Sequence, residues 1–199
     1  MTKRRERNKE KTQAAILAAA KRIFSKKGFK GAAIHDIELA SKVSKGLILH
    51  HFGSKEKLYR AVHESLNGDY ARSLSALNSL PGRSRPSAEA VIRAALLYTT
   101  GNEDFRRVAL WSYLEGKDQS SAMGRAVAEG LIAAVKEGQA AGYLRKDIDA
   151  RIMPFVIKGA IDFWIQQAPL MKEIAKADPD GPPLDDEALV CALAALMKA

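Results

Sequence analysis

Two adjacent histidines, His50 and His51, sit in the stretch KVSKGLILHHFGSKEKLY (residues 42–59). Imidazole is both a common metal ligand and a general acid or base near neutral pH. The other groups available for such work are His35, His63, Asp36 and Glu38. Their spacing does not assemble a site. Neighbouring side chains on a helix diverge by about 100°, so His50 and His51 cannot easily share one metal. No HExxH, GxSxG, CxxC or phosphate-cradling glycine loop occurs in the sequence. The pattern gives no catalytic residue, no metal site and no cofactor, and a histidine-based enzyme is the least favoured reading.

The histidines are better explained by the elements around them and by charge. Residues 1–60 carry 16 Lys/Arg against 5 Asp/Glu, a net of +11, whereas residues 61–199 carry 16 against 18, a net of −2. The basic excess lies wholly in the first third, as suits an N-terminal unit made for a polyanion and joined to a nearly neutral body. No apolar run reaches the ~18 residues of a membrane span, and no secretory leader opens the chain. Cys191 is the one cysteine. It suits a reducing, cytoplasmic setting, and its surroundings, ALVCALAALM, make it a candidate small core residue.

Helical periodicity dominates, and the predicted fold class is all-α, with about nine helices. The first helix carries Ile16, Ala20, Ile23 and Phe24 on one stripe and ends at Gly28. A short helix with Ile34, Ile37 and Ala40 inward follows. Ser44 is placed to cap a third, KGLILHHF, which Gly53 ends. Ser54 caps a long fourth with Leu58, Val62, Leu66, Tyr70, Leu74 and Leu77 on one face, up to a loop at 80–87. Further helices are predicted at about 87–100, 103–116, 120–141, 149–171 and 185–198. Gly142 is the expected C′ residue of the third of these, and Asp149 the expected cap of the fourth. Residues 177–187 are expected to be a loop.

A short helix, a tight turn and a second short helix form a helix-turn-helix, whose second helix enters the DNA major groove. A helix of about seven residues is ~10 Å long and suits a groove ~12 Å wide. Lys45, Leu47 or Ile48, and His50 should point outward. Lys45 is placed to reach a guanine edge or a phosphate, Gly46 to admit close approach of the backbone, and Leu47 to meet a thymine methyl. Val43, Phe52 and part of Ile48 should face inward.

From Ile16 to Leu58 the sequence resembles the DNA-binding domain of the TetR family of transcriptional regulators, in the pattern I16..AA20...F24...G28......I37.....VS44.G46....HF52..KE56.L58. The resemblance implies a DNA-binding domain over residues 9–69, with its helix-turn-helix at about 32–51, and a ligand-binding and dimerisation domain over 70–199. It implies that Ser44 caps the recognition helix, that Lys45, Gly46 and Leu47 face base edges, and that His51 and Lys55 lie by phosphates. The basic arm of Lys3, Arg4, Arg5 and Arg7 would add attraction or a minor-groove contact. The histidine pair then has His50 as a groove or phosphate contact and His51 as a phosphate-side contact or end cap. Three positions depart from the family. Ala33 and Leu49 stand where it usually has a threonine and a tyrosine that bind phosphate, and Lys42 replaces the usual turn glycine. Lys42, Lys45 and the arm are expected to compensate.

Helix 149–171 is apolar on most sides. Ile152, Phe155, Val156, Gly159 and Phe163 form one face, and Ile157, Ile161, Trp164, Ile165 and Ala168 form much of another. A helix apolar all round is buried all round, here by its own core and by a partner. Ile157 and Ile161, with Leu189, Leu193 and Leu196 of the last helix, are the expected dimer face, as in the family's four-helix interface. Trp111, Phe155 and Trp164 are the candidates for lining a ligand pocket, and Glu115 or Asp162 for holding a cationic ligand or simply facing solvent. The expected protein is a homodimeric regulator of a palindromic double-stranded DNA operator, a repressor released by an unidentified small molecule, with no membrane partner. An activator, or a constitutive DNA-binding protein of the same fold, is the alternative.

Overall fold

Ten α-helices and one 3-10 turn account for nearly all of the described residues, which in this computed structural model are 2–79, 86–117 and 121–199, without the side chains of 2–5, 78 and 79. The helices are α1 (Thr2–Gly31), α2 (Ile34–Ser41), α3 (Lys45–Phe52), α4 (Lys55–Ser75), α5 (Ala88–Gly101), α6 (Glu103–Leu114), α7 (Ala122–Ala140), α8 (Met153–Gln166), α9 (Ala168–Ala177) and α10 (Asp186–Met197). They form two compact units. One comprises residues 1–68 and 103–122, and the other 69–102 and 123–199. Helix α6 thus belongs with the N-terminal helices, although residues 69–102 of the second unit intervene in sequence.

The first unit is built on an aromatic core. Ile16, Ala19, Ala20 and Phe24 of α1, Ile37 of α2, Ile48 of α3, and Leu58, Tyr59 and Val62 of α4 are buried. The Tyr59 ring meets Phe24, Phe29 and His63 edge-on, with centroids 4.8, 5.1 and 4.7 Å apart. Its hydroxyl lies 2.6 Å from Ser112 Oγ of α6, which is also 2.9 Å from His63 Nε2 and donates to the Val108 carbonyl. His63 is therefore tied into a buried polar cluster rather than exposed for catalysis.

Helix α1 is broken at Gly28, where φ is 69° and ψ is −176°. That conformation is essentially restricted to glycine. The break strands backbone groups on either side, and α6 satisfies them. Arg107 Nε and Trp111 Nε1 donate to the Ser25 carbonyl at 2.7 and 3.1 Å. The Phe29 and Lys30 N–H groups donate to the Glu115 carboxylate at 2.9 and 3.0 Å. Ser25 Oγ donates to Asp104 at 2.5 Å.

In the second unit α10 packs on α5, and α5 on α8. The helix predicted over 149–171 is in fact two. Helix α8 begins at Met153 with Pro154 in its first turn, and α9 starts anew at Ala168 with Pro169 in its first turn. Proline lacks the N–H needed to continue a helix and clashes with the preceding turn, so the chain restarts at Pro169. The periodicity alone had hidden α9. Asp149 caps the turn before α8, accepting from the Arg151 N–H at 2.8 Å, rather than the helix itself. Gly142 follows α7 at φ 82° as expected. Cys191 is exposed, because Val190, Leu193, Ala194 and Met197 form the buried face of α10. Ala40 is likewise exposed rather than inward. The loop predicted over 80–87 falls, except for residues 86 and 87, outside the described residues.

A Cβ at Gly28 would lie 2.7 Å from Glu115 Oε1 and 2.9 Å from the Trp111 ring, whereas at Gly31 the nearest atom is 3.6 Å away. Gly28→Ala is therefore expected to destabilise the protein by about 2–4 kcal/mol through backbone strain and displacement of α6. Gly31→Ala should be within about 1 kcal/mol of the parent. Urea denaturation of the two variants checks the contrast; equal effects would remove the special role assigned to the break.

Candidate nucleic-acid interface

Two short helices and one strained residue build the interface. Helix α2 starts without a side-chain cap of its own, since Ala33 has no oxygen, but Asp36 reaches back to accept from the Ala33 N–H at 2.9 Å. Asp36 also pairs with Lys27 at 2.8 Å, and these two contacts, Lys27 first, hold its carboxyl below the usual carboxylate range. The turn after α2 is made by Lys42 at φ 57° and ψ 27°, the single non-glycine residue in left-handed geometry among the described residues. That geometry costs a side-chain-bearing residue on the order of 1–2 kcal/mol. The lysine at the turn thus keeps the conformation a glycine would adopt.

Helix α3 opens with Ser44, whose Oγ accepts from the Leu47 N–H at 3.4 Å. A second acceptor escaped the sequence reading as a cap. Glu38 of α2 accepts from the Lys45 N–H at 2.9 Å and lies 3.2 Å from His35 Nδ1. The bond from Lys45, then that from His35, keeps the Glu38 carboxyl below its ordinary value. One carboxylate thus ties the second helix of the motif to the first turn of the third. The signal available in sequence was an acid seven residues before the start of α3, too common a spacing to stand out.

Ile48 is fully buried, while Lys42, Ser44, Lys45, Gly46, Leu47 and His50 are exposed and His51 is half-buried. The sequence left Leu47 and Ile48 open as outward residues; Leu47 takes that face. The C-terminus of α3 is closed by Gly53 at φ 80°. His50 and His51 stand with ring centroids 5.7 Å apart, and no group of three or more potential metal ligands occurs among the described residues. Ser54 then caps α4 by accepting from the Lys57 N–H at 3.2 Å, which places half-buried Lys55 at the helix start. Arg4 and Arg5 lie on the first turns of α1, and their side chains fall outside the described residues.

Packing inside the protein does not require a glycine at position 46. A Cβ there would meet no atom within 4 Å. Glycine inside a helix weakens it by about 1 kcal/mol relative to alanine.

The candidates in the remaining helices are distributed differently from expectation. Trp111 lies in the first unit, where its ring covers Gly28 and its N–H is bonded to Ser25. Glu115 is committed to the backbone of Phe29 and Lys30, and Asp162 pairs with Lys158 one turn away. Trp164 donates to Asp186 at 2.8 Å. Ile161 and Leu193, expected at a partner face, are buried inside their own unit, and Ile157 and Leu189 are half-buried. The open apolar surface is the opposite face of α8, with Ile152, Phe155, Val156 and Phe163 each more than half exposed, and Leu196 of α10 61% exposed. The two apolar faces of the helix were both visible in sequence; the one assigned to a partner is the one its own unit uses.

Residues 16–62 match the family of bacterial regulatory proteins described as the tetR family. Over 47 residues the chain is 47% identical to the HTH-type transcriptional repressor AcnR of Corynebacterium efficiens, a match covering 24% of this chain and 25% of that one. It is 29% identical over 174 residues to the HTH-type transcriptional repressor SCO4008 of Streptomyces coelicolor, covering 84% and 85% of the two chains. The fold is that of SCO4942 from Streptomyces coelicolor, with a TM-score of 0.70 at 22% identity over 93% of this chain and 96% of that one. The matches to AcnR and to the mycobacterial regulators cover only a quarter to about a third of those proteins, 25% and 35%.

Two changes on this surface separate stability from binding. Lys42→Gly relieves the left-handed lysine and Gly46→Ala removes a helix glycine, so each is expected to raise stability by about 0.5–1 kcal/mol. Each is also expected to weaken DNA binding, the first by loss of a charge and the second by crowding. Thermal melts and DNA titrations on the same samples test this, and parallel rather than opposed changes would refute it. Because the folded pKa of Glu38 is depressed, its contribution is present above the ordinary glutamate value of 4.5 and is lost as pH falls through the lower folded value. The Lys45 amide resonance should therefore titrate below pH 4.5 in the parent and lose that transition in Glu38→Gln.

Proposed function

Because this chain belongs to the tetR family of bacterial regulatory proteins, we propose that it is a sequence-specific DNA-binding transcriptional regulator, a homodimeric repressor released from its operator by a small molecule. The observation that carries the reading is the α2–turn–α3 unit: a capped helix of eight residues whose outer face is Lys45, Gly46, Leu47 and His50 and whose inner face is Ile48. Base readout falls to Lys45 and Leu47. A lysine there donates to the O6 and N7 acceptors of guanine, and an apolar side chain suits the methyl of thymine. Ser44, His51, Lys55 and Lys42 serve the phosphates, with Arg4 and Arg5 of the arm. The positive charge of the first sixty residues supplies the salt-dependent part of affinity.

A palindromic operator needs two recognition helices about 34 Å apart, hence a dimer. The exposed apolar face of α8, with Leu196 of α10, supports this part of the proposal. Contiguous apolar surface of this kind marks an interaction site. The ligand reading rests on the second unit, where Tyr70 and Tyr98 approach to 5.2 Å between ring centroids. Burial pushes both phenols up to about 12. Apolar surroundings with a few polar tips suit a small organic ligand. A ligand that favours one conformation of the dimer over another by a few kcal/mol would shift its affinity for DNA. Trp164 and Phe155 belong to that unit also, while Trp111 serves α1.

Nuclease footprinting of the protein's own promoter region at physiological salt tests the function. Protection of one palindrome is expected; uniform weak protection would point to a nonspecific coat protein instead. The double variant Phe155→Glu/Phe163→Glu should sediment as a monomer with unchanged helical content and lose protection of the palindrome. A dimer that persists in that variant would place the interface elsewhere.

A further inference from the structure

The charge count along the chain assigns the basic character to the first sixty residues, yet the fold returns one cation of the later sequence to the same surface. Helix α6 ends at Leu114, and Gly116 turns the chain with φ 61°. The Lys117 N–H donates back to the Ser112 carbonyl at 2.8 Å and the Gly116 N–H to that of Tyr113 at 3.2 Å, a Schellman-type closure. The Glu115 carboxylate, bonded to the Phe29 and Lys30 N–H groups, fixes this end of α6 against α1. The result is that the Lys117 ammonium sits 3.9 Å from the centroid of the Phe29 ring. The Lys55 ammonium sits 4.5 Å from the centroid of the same ring. The two nitrogens are therefore within about 8.4 Å of each other.

We infer that Lys117 is a DNA-phosphate contact that acts with Lys55 at the start of α4; this rests on the DNA-binding reading above. Two ammonium groups gathered on one ring repel each other, and the negative face of Phe29 offsets part of that repulsion. Of the nearby acids, Glu56 offsets a further part of the repulsion. Glu115 is taken up by backbone N–H groups. Glu56 is held below its usual range first by its own backbone N–H, then by Ser54, with the charges of Lys117 and Lys55 adding to that effect. Lys57 of the same first turn adds an exposed cation to the half-buried Lys55 and Lys117. DNA, with one negative charge per ~1.7 Å of axis, is the polyanion a cluster of this size fits once α3 lies in the groove beside it. Phe29, 7% exposed, is the ring on which both ammonium groups gather.

The test is a salt titration with a fluorescent 24-base-pair duplex of arbitrary sequence, which requires no knowledge of the operator. Each lost phosphate contact lowers the slope of log affinity against log salt by about 0.9. Lys117→Met keeps the apolar stem over Phe29 and removes the charge; its slope is expected to fall by about 0.9 and that of Lys117→Arg to match the parent. Lys55→Met should fall likewise, and the double variant by about twice as much. If Lys117→Met keeps the parent slope while its melting temperature falls, the lysine is a prop for Phe29 and the inference is overturned. If the parent itself binds the duplex without salt dependence, the DNA-binding reading fails first and takes this inference with it.

Discussion

The backbone break at Gly28 is the constraint on which the first unit depends. A helix interrupted in left-handed geometry leaves a carbonyl before the break and N–H groups after it without helical partners, and buried backbone groups must be satisfied. All of these partners come from α6 or the residue that follows it. Arg107 and Trp111 take the Ser25 carbonyl, Glu115 takes the Phe29 and Lys30 N–H groups, and the Trp111 ring fills the space a Cβ would need. The break therefore does two things at once. It turns the chain into α2, and it creates the docking site that draws a distant helix into the first unit.

The recognition surface is held by economical means. Two helices of eight residues each are too short to be stable alone, since helix nucleation is unfavourable and isolated helices below about 12 residues are marginal in water. Their support comes from Ile37 and Ile48 in the core, from Ser44 at the cap, and from Glu38, which spans the turn. The lysine in the left-handed position works against this support. Keeping a strained cation where glycine would be easier is understandable if the cation is used, and both its exposure and the missing hydroxyls at Ala33 and Leu49 favour that use.

Most of the first unit was legible in the sequence because its signals are local. Glycines at 28 and 53, serines at 44 and 54 and the apolar spacing of α4 each specify a boundary or a face through the residues next to them. What was not legible depended on distance along the chain. Nothing near Trp111 or Glu115 says that they serve α1, so an aromatic residue that covers Gly28 looked like a pocket wall. Helix α8 failed for another reason. Both of its faces are apolar, and periodicity cannot say which one meets its own core; Ile161 and Leu193 are used within the unit while Phe155 and Phe163 are exposed. The missed restart at Pro169 was local and could have been read, had the proline been weighed against the continuing apolar run.

The assignment of α6 to the first unit also changes how the chain connects the two units. The chain passes between the two compact units at residues 68/69, 102/103 and 122/123, and α6 is the segment bounded by the last two passages. In sequence, α6 is therefore flanked on both sides by segments of the second unit, while its side chains complete the backbone bonding of α1. That helix does not have to move far to matter. The bonds from Arg107, Trp111 and Glu115 are 2.7 to 3.1 Å long, and hydrogen bonds weaken steeply once that geometry is lost. A shift of α6 would leave the groups at Gly28 unsatisfied, and those groups sit one short turn before α2. The same side chains thus cap the interrupted backbone of α1 and hold α6 in the first unit, close to the helix-turn-helix.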